Sequence, residues 1–434
     1  MNEDKIDPWA SKVIETKKLF EEFGIEEIMP LMQRLPVKHR LLRRGIISGH
    51  RDYDRIVNAI ERREDFAVMS GFMPSGEAHI GNKMVMEEII WHQQMGGEAF
   101  VAIADMEAHA VRGVSFEKCR RLGIEGYITS LIALGLDPEK AHIYFQSKNF
   151  ELRDLMFEAG IVSNFSTLGA IYGFSGETSV SHAISALTQS ADILYPQLKE
   201  FGGPKPVVVP VGFDQDPHIR LTRDIASKFR KFRVEQRGDY ISIRSKSASE
   251  KLTYKLFNKI KEYGTVKKYK GHIDVFNLEY VQNLKFVGEL VRKTEVEEGG
   301  YGFHLPSSIY HRFTSGLTGG KMSSSKPESY ISLTEKPEDA VKKVKRAKTG
   351  GRVTINEQRE KGGEPEKCAV FELFLFHLIE DDKEIERIRE ECKEGERVCG
   401  ECKALASDLI EEFLIDHQEK REEAADRIDE YLEA

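Results

Sequence analysis

The sequence predicts a parallel α/β protein with inserted modules and a helical C-terminal part, and three observations carry that prediction. Short apolar runs recur, each followed by a polar loop and an amphipathic helical stretch. A basic block of mixed pattern interrupts these units. Beyond two glycine pairs the chain reads as almost wholly helical to a charged end. A length of 434 residues implies two or three domains rather than one.

Taken in order, the first 65 residues read as a charged helical extension, with KLFEEFGIEEIMPLMQRL carrying apolar positions at helical spacing. Phe66-Ala67-Val68-Met69 reads as a buried strand ending in Ser70-Gly71, followed by a Pro/Gly loop and a helix over Lys83–His92. Glu98–Ala104 is a second strand, closed by Asp105, and Lys205–Val211 a third, closed by Gly212 and followed by the helical stretch DPHIRLTRDIASKF. The resulting division is an extension (1–65), a catalytic α/β domain (66–229 and 301–350, with a connective insertion near 110–206), a basic module (230–300) and a helical domain (351–434). In a parallel sheet ligands bind at the carboxyl ends of the strands, where these polar loops fall.

Composition excludes several classes. With 40% hydrophobic and 31% charged residues the chain can build cores, which rules out a disordered or fibrous protein. No apolar run approaches a membrane span and the N-terminus lacks a signal-like core, so a soluble protein without membrane contact is expected. Five cysteines are too few for a disulfide framework and point to a reducing, cytoplasmic setting. The net charge of −8 hides an asymmetry: Lys228–Lys293 holds 17 Lys/Arg against 7 Asp/Glu. Such a block suits either a phosphate-facing surface or a solvated face balancing acidic neighbours.

Two loops carry the chemistry. Pro74-Ser75-Gly76-Glu77-Ala78-His79-Ile80-Gly81-Asn82 leads into a helix whose N-terminus can collect phosphate, with His79 and Asn82 as neutral donors on its first turn. Gly319-Gly320-Lys321-Met322-Ser323-Ser324-Ser325-Lys326 combines a glycine hinge, a mobile cation and hydroxyl donors, which suits closure on a pyrophosphate leaving group. Alone, the first is also a capped helix start and the second a flexible linker.

Together, AHIGN and KMSSS resemble the two signatures of class I aminoacyl-tRNA synthetases, usually written HIGH and KMSKS. Within that class the chain is similar to the tryptophanyl branch of archaeal and eukaryotic-cytoplasmic type. Supporting segments are Ile6-Asp7-Pro8-Trp9, Leu42–Ile46 with Ser48–Asp52, Gly212–His218, Thr222-Arg223-Asp224, Thr349–Arg352 and Asp416–Arg421, nearly the whole chain except about 230–300. The resemblance implies a Rossmann-type catalytic domain, a helical anticodon-reading module, and a homodimer built through the connective region. It implies that ATP, with its bound Mg²⁺, and tryptophan form an adenylate that is captured by tRNA(Trp). It assigns His79 and Asn82 to the ATP phosphates, Gly81 to the adenine, Asp214 to the ribose, Lys321 with Ser323, Ser324 and Ser325 to the departing pyrophosphate, and Met322 to ATP binding. Met69, Asp105, Glu107, Gln189 and Gln215 fall at amino-acid-binding positions, as does Ala102.

The chain departs from the pattern at Asn82, which keeps an amide donor, and at Ser324, where many relatives carry lysine. Eukaryotic-type relatives have tyrosine and glutamine at Met69 and Ala102, so the indole N–H needs another acceptor here. A tyrosine-specific sister enzyme is the rival substrate reading. A free-standing nucleotidyltransferase and a non-catalytic RNA-binding or regulatory paralogue are rival classes, countered by the helical C-terminal part and the intact His79, Gly81 and Lys321. Lys251, Lys255, Lys259, Lys267, Lys268 and Lys270 are expected along a tRNA backbone. Cys399-x-x-Cys402 with Cys392 has half the spacing of a zinc site and would need Cys368 or His377 to complete it. The same spacing fits small residues one helical turn apart, and no metal site is expected. His109 and His182 read as structural histidines.

Overall fold

The computed structural model describes residues 24–276, 284–320, 322 and 326–432. In chain order its main sheet takes β1 (Glu26–Glu27), β2 (Ile47–Arg51), β3 (Ala67–Phe72), β4 (Glu98–Ile103), β5 (Ala141–Phe145) and β6 (Val207–Gly212). A second sheet follows with β7 (Phe232–Arg237), β8 (Tyr240–Ser245), β9 (Thr265–Lys268) and β10 (His272–Phe276), after which β11 (Ser307–His311) returns to the first. The seven-stranded order is β1-β2-β11-β6-β3-β4-β5. From β11 to β5 the strands are parallel, and β2 joins antiparallel to β11. From β3 the chain builds outward to β4 and β5, then crosses back to β6, so a switch point opens between the carboxyl ends of β3 and β6.

The apolar runs are continuous because both faces of this sheet are covered. Val68, Val101 and Ile143 point into one layer, while Met69, Phe100, Ala102 and Tyr144 point into the other, as the two-residue period of a strand requires. The first layer also holds Phe374, Ile410 and Leu414 from the C-terminal helices. The helical part of the chain, read from sequence as a domain of its own, therefore shares a core with the sheet. Arg421 reinforces the seam by donating to the Ser130 hydroxyl and the Glu125 and Gly126 carbonyls, and the Tyr431 hydroxyl donates to the Leu136 carbonyl.

Three sequence expectations change. The extension (1–65) is not purely helical: Ile47–Arg51 is a sheet strand, stabilised by β11 rather than by its own mixed composition. The connective insertion read at 110–206 contains β5, which extends the sheet beside β4, and the helices Phe150–Ile161, Phe165–Tyr172 and Val180–Leu194 follow it, the last packing on the sheet. The segment Ile6-Asp7-Pro8-Trp9 lies outside the described residues. The basic module does form a unit, an antiparallel sheet ordered β7-β8-β10-β9 with a core of its own, including Ile243, Leu256, Ile273 and Val291. No helix among the described residues is long and apolar enough to cross a membrane.

Candidate active site

The loop after β3 turns into the helix Ile80–Gln94 at His79, which is the N-cap. The His79 Nδ1 accepts the Gly81 N–H at 3.1 Å, and the Asn82 Oδ1 accepts the His79 N–H at 3.0 Å, a reciprocal cap that satisfies two otherwise orphaned donors. Because a backbone N–H must face an oxygen, the Asn82 amide is oriented with its Oδ1 in the cap, which leaves its N–H₂ out of it. Burial lowers the His79 pKa to about 4, so the ring is neutral. With Nδ1 accepting, its proton sits on Nε2. Each side chain thus spends one polar atom in the cap and keeps one N–H outside it.

The segment after the second signature, Tyr330–Leu333, is folded beside the first loop. Ile80 N–H donates to the Ile331 carbonyl at 3.0 Å, Leu333 N–H to Ala78 at 2.9 Å, and His79 bridges Ser332. The His79 and Tyr330 rings lie 5.2 Å apart. A Cβ on Gly81 would stand 2.9 Å from the His79 ring and 3.4 Å from the Met322 Sδ. Met322 therefore reaches over Gly81, joining positions far apart in sequence. Lys321, Ser323, Ser324 and Ser325 lie outside the described residues. The hinge preceding them is built: Gly319 and Gly320 have φ of +85° and +79°, a left-handed backbone that suits glycine, and the Gly316 N–H donates to the Gly320 carbonyl.

Across the switch point, β6 ends in the turn Phe213–Gln215, where buried Asp214 folds over Gly212, and the Gln215 amide donates to it at 3.3 Å. Asp216 anchors the next helix: it accepts from the Tyr310 hydroxyl and from Arg51 at 2.8 Å, and pairs with Arg220 at 2.9 Å.

The amino-acid side is shaped by small residues. Gly71 on β3 and Ala102 on β4 are register partners, leaving a bare floor on one face near the carboxyl end of the sheet. Met69 lies one pleat below in the same layer. Over this face packs the helix Val180–Leu194. Its Gln189 donates to Glu107 at 2.8 Å, bringing together two residues that the sequence assigns to this pocket. Asp105 is different: both its oxygens are engaged by Ser147, through the backbone N–H and the hydroxyl, so it fastens β4 to the turn after β5 instead of facing a ligand. His109 is structural, bonded to the Val114 carbonyl and stacked on Phe116.

One residue was not singled out from sequence. Asp192, one turn beyond Gln189, is buried and accepts from the Tyr144 hydroxyl at 2.9 Å and the Gln146 amide at 2.7 Å. Tyr144, which holds it, pairs in register with Ala102. Burial raises its pKa to about 7 despite those two donors. From sequence, ADIL alone reads as ordinary helix.

The basic module is less exposed as a cation surface than its composition suggests. Lys251, Lys255 and Lys259 are ion-paired to Glu297 and Glu298, which stand just past the basic window. The phosphate-facing reading therefore narrows to Lys267, Lys268 and Lys270 on and beyond β9.

Residues 61–257 and 281–415 match the family described as tRNA synthetases class I (W and Y). The chain is 56% identical to the tryptophan–tRNA ligase of Methanosarcina acetivorans, over 98% of both chains, and 53% identical to that of Archaeoglobus fulgidus, over 96% and 97%. These matches run through the block at 230–300 that the signature segments left out. Its fold is similar to the crystal structure of tryptophanyl-tRNA synthetase from Aeropyrum pernix K1, at 37% identity and a TM-score of 0.75 over 98% and 99% of the two chains.

Proposed function

Because the chain belongs to the class I tRNA synthetases for tryptophan and tyrosine, we propose that it is a tryptophan–tRNA ligase working through the site between β3 and β6. It activates tryptophan with ATP and passes the product to tRNA(Trp). The observation that carries the assignment of residues is the meeting of Met322 with Gly81 and of Ser332 with His79, which brings the two signature loops to one helix N-terminus. The tryptophan carboxylate attacks the α-phosphate, and pyrophosphate leaves. Charge grows on the leaving oxygens, where the His79 Nε2–H, the Asn82 amide and the N-terminus of Ile80–Gln94 donate. Lys321 and Ser323–Ser325 complete that cradle, with Gly81 and Met322 against the adenine and Asp214 at the ribose. Among the described residues no three Asp, Glu, His or Cys side chains form a ready cation shell. Mg²⁺ would enter with ATP and would neutralise charge on its phosphates.

Glu107, oriented by Gln189, takes the α-ammonium, and Gln215 borders the amino acid from the far side. The indole lies over Gly71 and Ala102 with Met69 beneath it, and its N–H donates to Asp192. A carboxylate would accept from an indole N–H or a phenol O–H alike, so the choice of tryptophan is supported by the similarity to tryptophan–tRNA ligases. Amino-acid-dependent exchange of labelled pyrophosphate into ATP tests the reading. Exchange with tryptophan and at most a hundredth of that rate with tyrosine is expected; a faster rate with tyrosine would transfer the enzyme to the sister branch.

The protein works as a homodimer in the cytoplasm, where tRNA is charged for translation. The connective helices carry Phe150, Phe157, Ile161, Phe165, Val180 and Ile184 with 41–76% of their surface exposed, a concentration of apolar area that a second copy would cover. Sedimentation of a Phe157→Glu/Ile161→Glu variant should give a monomer with the wild-type circular dichroism spectrum. A variant that still sediments as a dimer rejects this interface.

A further inference from the structure

We propose that the sheet of the basic module, β7-β8-β10-β9, offers the face turned away from its helices as a platform for single-stranded RNA, separate from the ATP site. That the nucleic acid is RNA rests on the proposed ligase function. The helices Glu250–Ile260 and Leu284–Glu297 cover the other face, where Ile241, Ile243, Ile273 and Val275 meet Leu256 and Val291. Strand alternation sends the intervening residues to the platform side. The ladder sets them in rows: Arg233 stands beside Arg244 and His272, and Glu235 beside Ser242, Asp274 and Lys267.

Aromatic rings and cations gather there together. Tyr240 lies on the Phe276 ring at 5.0 Å and 29°, and Tyr269, from the turn between β9 and β10, lies on His272 at 4.5 Å and 13°. The two ring pairs stand four residues apart along β10, about 13 Å. Tyr269 is 44% exposed, and a base can stack on it whatever the sequence, because every base has a π face. Lys267 sits over the Phe276 ring at 5.4 Å. Arg233, Arg237 and Arg244 share the single carboxylate of Glu235 at 2.6, 3.1 and 3.9 Å, with 43–72% of each side chain exposed. One carboxylate balances one charge of the three, which leaves two for phosphates.

The strands and their turn (232–245 and 265–276) hold six Lys/Arg against three Asp/Glu. On the helix side, Lys251, Lys255 and Lys259 are paired with Glu297 and Glu298. The positive excess of the module therefore collects beside the rings. Cations interleaved with stacked rings suit unpaired nucleotides, which offer base faces and phosphates at once; a duplex hides its base faces, and an acidic peptide leaves the rings unused.

Position in the fold separates this surface from the reacting end of a tRNA. The helix Asp216–Phe229 leaves the carboxyl end of β6 and runs for about 20 Å before the module begins, and β11, parallel to β6, starts only after the module ends. Lys285 of the module pairs with Glu64, just before β3, at 3.0 Å. The module thus stands at the amino ends of the strands, and the ATP loops at the carboxyl ends. The RNA held there is a second, unpaired stretch.

A labelled 16-nucleotide RNA without self-complementarity, titrated against the full chain and followed by anisotropy, should bind at least fivefold more tightly than the same strand annealed to its complement. Tyr269→Ala should weaken single-strand binding at least fivefold, and Tyr269→Phe should restore it. Arg244→Ala/Lys267→Ala should reduce the slope of log affinity against log salt by about 1.4, the share of two phosphates. Lys251→Ala/Lys255→Ala should change neither quantity. Tryptophan-dependent pyrophosphate exchange should stay within twofold of wild type in all these variants, which shows that they fold; a wild type without exchange would count against the ligase function and leave the binding result standing. If Tyr269→Ala does not fold, the wild type is crosslinked to the same strand carrying 4-thiouridine, and the modified peptides should fall within 232–276. Equal affinity for the duplex, indifference to Tyr269→Ala, or crosslinks confined to other parts of the chain would overturn the platform.

Discussion

Replacing His79 with alanine is expected to slow tryptophan-dependent pyrophosphate exchange by roughly 10²- to 10³-fold, the cost of removing one positioned donor from a developing oxyanion. The effect should fall on kcat more than on the KM for ATP, because the Nε2–H is aimed at charge that appears as pyrophosphate departs. The substitution also removes the cap on the Gly81 N–H, worth about 1 kcal/mol, so thermal stability is measured alongside. His79→Asn separates the two roles: its amide can cap the helix and still present N–H donors, and it should recover more than tenfold of the lost rate. With the ring held neutral down to about pH 4, exchange between pH 5.5 and 8 should show no inflection that disappears in His79→Asn. An alanine variant within threefold of wild type would remove His79 from the mechanism.

The second large effect is expected at Asp192. Asp192→Ala loses the indole acceptor and strands the Tyr144 hydroxyl and the Gln146 amide, together about 3 kcal/mol, or roughly a hundredfold in kcat/KM for tryptophan. Asp192→Asn tests the charge alone. Its amide can be accommodated by turning Gln146, whose Oε1 has no partner among the described residues. With the folded carboxyl titrating near 7, the KM for tryptophan in the wild type should climb as pH falls through that value, and the asparagine variant should lose the dependence. Stability runs the opposite way. A carboxyl whose pKa is raised on folding supports the native state fully at low pH, and that support is lost as pH rises from the ordinary carboxylate range through about 7. Asparagine should therefore lose activity yet flatten the fall in thermal stability between pH 5 and 8. Unchanged KM in both variants would mean that the indole is read elsewhere.

The sequence made some of this visible and hid the rest for identifiable reasons. Strands β3, β4 and β6 announce themselves because both of their faces are buried, which leaves nearly unbroken apolar runs. Strand β11 reads Ser-Ser-Ile-Tyr-His and β2 Ile-Ser-Gly-His-Arg; their stability comes from being paired, which no local window contains. Both glycine-bearing loops could be assigned a chemistry from composition, and Met322 of the second lies close to Gly81 of the first. Asp105 and Asp192 show the limit. Both are buried carboxylates near strand ends or pocket helices with both oxygens engaged, and only the fold tells that Asp105 is held by Ser147 while Asp192 is held by Tyr144 and Gln146. The ion pairs of three of the six lysines were not visible in sequence, because Glu297 and Glu298 lie across a helix pair and outside the basic window.

The pairing of β11 between β2 and β6 sets the order in which this chain can be made. Emerging from the ribosome, β2 is complete at Arg51, but its partner does not arrive until Ser307, after the whole connective region and the basic module have been synthesised. Until then β2 and β6 each present an open edge, a template for pairing with another nascent chain. The module at 230–300, with its own core, can close early, while the catalytic sheet must wait for a contact of very long sequence separation. A truncation before Ser307 is for this reason not a smaller enzyme but an unfinished sheet, and its fate is decided by chaperones rather than by stability.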